Sequence, residues 1–277
     1  MSRDPRVTPT RGDLAARVLE GVVPADAYAD PQVLAAMVPA VAIRRAPDLA
    51  AEQMDQLLFG EIFDVLDDRD GFAWGQSRRD GYVGFVERAA LAPAGAPPTH
   101  RVAAIRTYAF AEPSIKTRAF GPYSINALVH VEAREGRFAK AAGSGWFIGD
   151  HLAPIGRFED DAVAVAERFL GAPYLWGGRE SLGLDCSGLT QQALATCGIA
   201  YPRDTDQQEQ RGRRLAAADL KRGDLVFWKG HVAMMLDGER IIHANAHHMA
   251  TAIEPLSQTR ARYVAAGVGE PTAYRRP

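Results

Sequence analysis

The sequence predicts an α+β protein of several domains, strand-rich in its first half and closed by a helix-bearing unit. Three observations carry this. At 277 residues the chain exceeds a usual single domain. Between roughly residues 41 and 152, short apolar runs alternate with Gly-containing turns, which suits small β-barrels. From residue 155 onward, two helical patterns precede a series of strand-like runs.

Taken in order, residues 1–40 read as a segment of short helices. Asp13 could cap one, and Asp30-Pro31 forms an N-cap and first-turn pair ahead of Val33, Leu34 and Met37. Residues 41–95 read as a first barrel. Glu61 to Leu66, Phe72 to Trp74 and Tyr82 to Val86 are its strands, punctuated by Gly71, Gly75, Gly81 and Gly84. Pro93 to Pro98 is a linker. Residues 100–152 repeat the theme as a second barrel, and Gly145-Trp146-Phe147 echoes Gly84-Phe85-Val86. In residues 155–277, Glu159, Asp160 and Asp161 open a helix that ends near Gly171. A second helix runs from Cys186 to Cys197, with Asp185 as N-cap and Gly198 beyond its end. Strands follow at Leu225 to Trp228, His231 to Leu236 and Arg240 to Ala244.

Composition narrows the function. With 47% hydrophobic and 24% charged residues the chain can bury a real core. A net charge of -2 with interspersed signs gives no electrostatic case for nucleic acid or an anionic membrane. The longest apolar run, Val33 to Ile43, contains Pro39 and falls short of the ~20 residues a membrane span needs. The N-terminus lacks an apolar signal core, so the expected location is the cytoplasm. The two cysteines, 11 positions apart on one helix, stand too far apart to bridge and should both be free thiols.

The chemistry concentrates on a cysteine and two histidines. Cys186 opens a helix, where the partial positive charge of the N-terminus favours the thiolate. The competing reading is a small buried hydrophobe, which fits Cys197 at the other end. Positions 186, 189, 193 and 197 share a helical face that turns Cys186 toward a packed sheet. His231 and His243 flank a turn at Asp237-Gly238. An odd loop, Leu236-Asp237-Gly238 with Gly238 at positive φ, would set His231 directly opposite His243 on one face. His231 could then take the Cys186 proton and His243 could orient it. Facing histidines, with His247 and His248 nearby, also suit a metal, but no zinc-type spacing of thiols or carboxylates accompanies them. No metal or other cofactor is therefore expected.

These residues sit in ordered motifs: Pro173-Tyr-Leu-Trp-Gly-Gly178, Leu184-Asp-Cys-Ser-Gly-Leu189, Arg222 to Trp228, His231-Val232 and Ile242-His-Ala244. Together, over about residues 158–260, they resemble the NlpC/P60 family of cell-wall peptide hydrolases. The resemblance implies a papain-like catalytic domain, and the upstream region looks like the two bacterial SH3-like barrels that precede it in one branch. It implies Cys186 as nucleophile, His231 as base, His243 as third polar residue and Tyr174 as a hydroxyl near the oxyanion. It implies that Asp185 and Ser187 bind the free amine of a murein-derived peptide, with Tyr82 and Glu61 of the first barrel assisting. Each has a plainer reading: Asp185 as N-cap, Tyr174 as core, Tyr82 and Glu61 as barrel residues. The implied reaction is hydrolysis of the γ-D-glutamyl–diamino acid bond in short peptides with a free N-terminal L-Ala. Two alternatives are an exported hydrolase of intact wall and a non-catalytic peptide binder.

Overall fold

The computed structural model describes residues 3–277 and divides into two compact units, residues 1–155 and 156–277.

The first unit is built of strands. β1 (Leu14–Ala16) and β2 (Ala27–Ala29) form a parallel pair, joined by little more than a 3-10 turn. There follow β3 (Gln32–Ala36), β4 (Ala40–Arg44), β5 (Gln53–Leu58), β6 (Ile62–Arg69), β7 (Phe72–Ser77), β8 (Val83–Glu87) and β9 (Leu91–Pro93). They make one antiparallel sheet in the order β5-β4-β8-β7-β6-β3-β9. Leu57 of β5 and Leu91 of β9, from opposite ends of that order, contribute to one apolar cluster with Leu34, Ile43, Phe63 and Val86. That is the arrangement expected of a sheet rolled around its core.

Among the described residues of 1–40 the expected α-helices do not form. Asp30 accepts a hydrogen bond from Arg17 instead of capping a helix, and Asp13 accepts one from Arg11. Leu34 and Ala35 are buried between β6 and β9, so strand pairing overrides a local cap signal. The first sheet thus starts near residue 32 rather than 41. The glycines also divide into two kinds. Gly71 and Gly81 turn the chain at φ near +82°. Gly75 and Gly84 face each other inside β7 and β8. A Cβ on Gly75 would lie 2.1 Å from the Asp64 carbonyl oxygen, so these two mark close backbone approach.

β10 (His100–Val102), β11 (Arg106–Phe110), β12 (Ala119–Ser124), β13 (Leu128–Val129), β14 (Val131–Glu135), β15 (Phe138–Ala141), β16 (Gly145–Ile148) and β17 (Leu152–Pro154) complete the first unit. They form a five-stranded and a three-stranded sheet around Val102, Tyr123, Val129 and Phe147. Phe59 crosses from the first module and meets Tyr123 edge-on, 5.1 Å between ring centres. The two modules end alike. β8 and β16 each lead through a 3-10 turn into a short Leu-Ala-Pro strand, β9 and β17.

The second unit opens with α1 (Ala162–Glu167), capped by Asp161. A small hairpin, β18 (Arg179–Glu180) and β19 (Gly183–Leu184), precedes α2 (Cys186–Thr196). α2 ends as its sequence dictates, with Gly198 at φ +79°. It is buried on nearly every side, including Thr190, Gln191 and Gln192, and not on one stripe alone. α3 (Thr205–Glu209) follows, then β20 (Arg213–Arg214), β21 (Leu225–Trp228), β22 (His231–Met235), β23 (Arg240–Asn245), β24 (Ala250–Pro255), α4 (Leu256–Ala265) and β25 (Ala273–Arg276). The sheet is antiparallel, in the order β20-β25-β21-β22-β23-β24, and α2 packs against its central strands β22 and β23. That packing brings the head of α2 to the strands that carry the histidines. Among the described residues, no helix is long and apolar enough to cross a membrane.

Candidate active site

Cys186 is the first residue of α2 and only 5% exposed. Its sulfur faces the Val232 amide, one residue past His231, and lies 3.8 Å from Thr205 Oγ1. Cys197 is likewise a free thiol, at the far end of the helix.

The helix start is locked by a buried carboxylate. Asp185 accepts hydrogen bonds from the Gly188 amide (2.7 Å) and the Gly177 amide (2.9 Å). Arg203 adds two more, from Nη1 (3.0 Å) and Nη2 (2.7 Å), and Ser187 Oγ donates at 3.3 Å. Arg203 also donates to Ser187 Oγ at 2.9 Å. Five donors fill the roughly four lone-pair sites of a carboxylate. These bonds hold the Gly177–Cys186 backbone around the carboxylate.

The histidines arrive by hairpin register. A two-residue turn, with Gly230 at φ +76°, sets His231 opposite Trp228. Between β22 and β23 the pairs are Met234↔Ile242 and Met235↔Ile241. The loop is odd, as the expected roles of the two histidines required, but it is Asp237-Gly238-Glu239, two register positions from the expectation. Gly238 is not at positive φ. The Asp237 carboxylate shapes the turn, accepting from the Glu239 and Arg240 amides at 2.9 and 2.8 Å. His231 and His243 still share a face, as diagonal and not direct neighbours. Their rings meet edge-on, 5.0 Å between centres, and His231 Nε2 lies 2.8 Å from His243 Nδ1. Trp228 and Tyr263 complete the surround of His231 at 5.9 and 5.4 Å.

Beyond His243 stands Glu254 of β24, with Oε1 2.8 Å from His243 Nε2. Glu254 also accepts from Thr259 Oγ1 (2.7 Å) and from Arg262, whose Nη1 lies at 2.9 Å and whose Nη2 also reaches Oε1.

Burial governs the charge states. Burial, followed by the Asp185 charge, pushes the Cys186 thiol up to about 11. The Val232 amide, Thr205 and Arg203 pull the other way without offsetting it, which favours the thiol over the thiolate expected from sequence. Burial, then the facing His243 and Arg262, holds His231 well below the usual histidine value, and burial lowers His243 as well. Burial alone would raise Glu254, but hydrogen bonds from His243, Arg262 and Thr259 outweigh it and keep the carboxyl ionised. The site rests as a neutral thiol and two neutral imidazoles backed by a carboxylate.

Tyr174 is half-buried near the sulfur, and burial first, then the charges of Cys186 and Asp185, raises its hydroxyl. Tyr82 and Glu61 belong to the first unit. Tyr82 packs in the first apolar cluster, and Glu61, 2% exposed, accepts from the Leu58 amide at 2.9 Å. His243, His248 and Glu254 gather donor atoms within 4.8 Å of one another. Both nitrogens of His243 are already committed, and Arg262 faces the same carboxylate, so a cation there would displace His231 or oppose a guanidinium.

Sequence reasoning passed over Arg203, Thr205, Glu254, Arg262 and Tyr263. Glu254 had a signal: His243 pairs with Ala252, and two residues further along a strand returns to the same face.

The family models that match are the NlpC/P60 family over residues 171–268 and a bacterial dipeptidyl-peptidase SH3 domain over residues 43–91. A gamma-D-glutamyl-L-lysine dipeptidyl-peptidase of Bacillus cereus is 36% identical over 106 residues, covering 35% of this chain and 32% of the relative. One of Bacillus subtilis is 33% identical over 108 residues, covering 36% of each. The matches thus span about a third of the length of these curated relatives. A crystal structure of an NlpC/P60 family protein from Bacillus cereus aligns with TM-score 0.77 at 20% identity, over 88% of this chain and 99% of that one. At that identity the likeness speaks to fold. With the motif order, the sulfur against the Val232 amide, the facing histidines and both domain matches in place, the chain carries an NlpC/P60 domain with a bacterial SH3 domain ahead of it.

Proposed function

We propose that the protein is a cysteine peptidase that cleaves the γ-D-glutamyl–diamino acid bond of short murein peptides bearing a free N-terminal L-Ala. The observation that carries the chemistry is the placement of Cys186 against β22 with His231 held by His243. The names of the two Bacillus relatives support the bond, and the SH3 match supports the dipeptidyl branch.

In this reading the thiol proton passes to His231 as sulfur attacks the γ-carbonyl, forming a tetrahedral adduct. Tyr174 is the hydroxyl offered to its oxyanion. Collapse breaks the C–N bond, and His231 returns the proton to the leaving amine of the diamino acid. Water, activated by the same imidazole, then releases L-Ala-γ-D-Glu from the thioester. Because thiol and imidazole both rest neutral, proton transfer accompanies attack rather than preceding it.

In this reading Asp185 and Ser187, at the head of α2, meet the free amine, as the family resemblance implies. Such selection would suit recycling of wall fragments in the cytoplasm. The test is product analysis by mass on L-Ala-γ-D-Glu-diamino acid tripeptide, free and N-acetylated. Release of L-Ala-γ-D-Glu from the free peptide alone is expected. Equal cleavage of the acetylated peptide, or digestion of intact sacculi, would replace this reading with that of a wall hydrolase.

A further inference from the structure

Glu254 has no part in the Cys–His–His reading, yet it terminates the chain of hydrogen bonds that begins at His231. An ionised carboxylate can only accept hydrogen bonds. His243 Nε2, 2.8 Å from Glu254 Oε1, must therefore carry the N–H. A neutral imidazole holds one proton, so His243 Nδ1 is a lone pair. It faces His231 Nε2 at 2.8 Å, which must then be the donor. The only lone pair left on His231 is at Nδ1.

We propose that Glu254 is a positioning residue that sets the tautomers of both histidines, making Nδ1 of His231 the atom that takes the Cys186 proton. The inference rests on the reading of His231 as the base. In the proton transfer the S–H bond breaks and an Nδ1–H bond forms. The resulting imidazolium keeps its Nε2–H on His243, and the carboxylate at the end of the chain offsets its charge. α4 holds Glu254 in this state through Thr259 and Arg262. The other charged or titratable groups near the relay are Tyr263, which stands beside His231 and also feels the Cys186 charge, and His248 and Arg262 near His243. The neutrality of both rings, which the argument needs, agrees with their burial.

The test is long-range nitrogen-15 NMR on the full chain labelled at histidine, without substrate, with His231→Asn and His243→Asn used for assignment. Both rings are expected as Nε2–H tautomers; either ring as Nδ1–H overturns the proposal. Glu254→Gln and Glu254→Met sharpen it. Three donors converge on Oε1, from His243, Thr259 and Arg262, so the amide oxygen of Gln should take that place and keep both tautomers. Met offers no acceptor. It should lower kcat about 10–100-fold with KM little changed, while Gln stays within several-fold of wild type. Equal losses in both variants, or none in either, contradict the proposal. If the Met variant does not fold, the wild-type tautomers and the Gln variant decide. Because NMR needs no peptide, reversed tautomers with intact cleavage defeat this inference alone. Correct tautomers without cleavage defeat the substrate reading alone.

Discussion

Two carboxylate–arginine pairs, each with a buried acid, flank the candidate active site, and they do opposite things. Asp185–Arg203, at the head of α2, is closed on itself, with side chains only 8% and 1% exposed. Every acceptor position of Asp185 is used by a neighbouring amide, hydroxyl or guanidinium. Glu254–Arg262, between the edge strand β24 and α4, has its arginine at 24% exposure and offers Oε1 to His243. The first pair is scaffold, and its negative charge opposes ionisation of the adjacent thiol. The second ends the hydrogen-bond chain through His243 to His231, the proposed base. The same bidentate chemistry thus fixes a loop where it is sealed and, in the proposed relay, orients an imidazole where one carboxylate oxygen is shared with a histidine.

The comparison breaks most visibly at Arg203. Arg203→Met leaves Asp185 buried without its cation and should cost about 3–5 kcal/mol. Hydrogen exchange of the α2 amides would read it within the second unit; unchanged protection would mean that the pair is not structural. Arg262→Met should cost less, about 1–3 kcal/mol, because water reaches that arginine and Thr259 still donates to Glu254. Equal losses would erase the distinction between the two pairs.

Acidity sharpens the contrast further. His231 and His243 titrate below the unfolded histidine value, so below about pH 6.5 the unfolded chain binds more protons than the native one. Stability of the second unit should therefore fall with falling pH, by up to about 1.4 kcal/mol per pH unit for each ring. The carboxyl of Glu254, also held low, adds to the loss once the pH drops through the range where an unfolded glutamate protonates. Denaturation followed by α2 exchange at several pH values measures this slope, and a flat profile from pH 6.5 to 4 would contradict buried neutral imidazoles.

Much of the site was legible because its signals are local. Asp185 and Gly198 cap α2 as the sequence implied, and an odd loop, expected from the roles given to the histidines, does put His231 and His243 on one face. The register was missed by two because Asp237 makes the turn with its side chain, which a glycine-based rule does not see. Arg203 was invisible for another reason. It reaches Asp185 from 18 positions away through a loop with no periodicity. At the N-terminus, Asp30-Pro31 is a genuine local cap signal that loses to pairing with β6 and β9. The thiol's charge state was misjudged because a helix N-terminus is readable from sequence, whereas full burial of the sulfur is not.

The central claim is that His231 acts on the Cys186 sulfur, and thiol reactivity tests it without any assumption about substrate. In a Cys197→Ser background, iodoacetamide should label Cys186 at a rate that keeps rising with pH beyond 9, since the thiol titrates near 11. At pH 7, His231→Ala should lower that rate by about 100-fold or more, the usual range for losing a general base. An unchanged rate in the His231→Ala variant would show that the imidazole does not serve the sulfur.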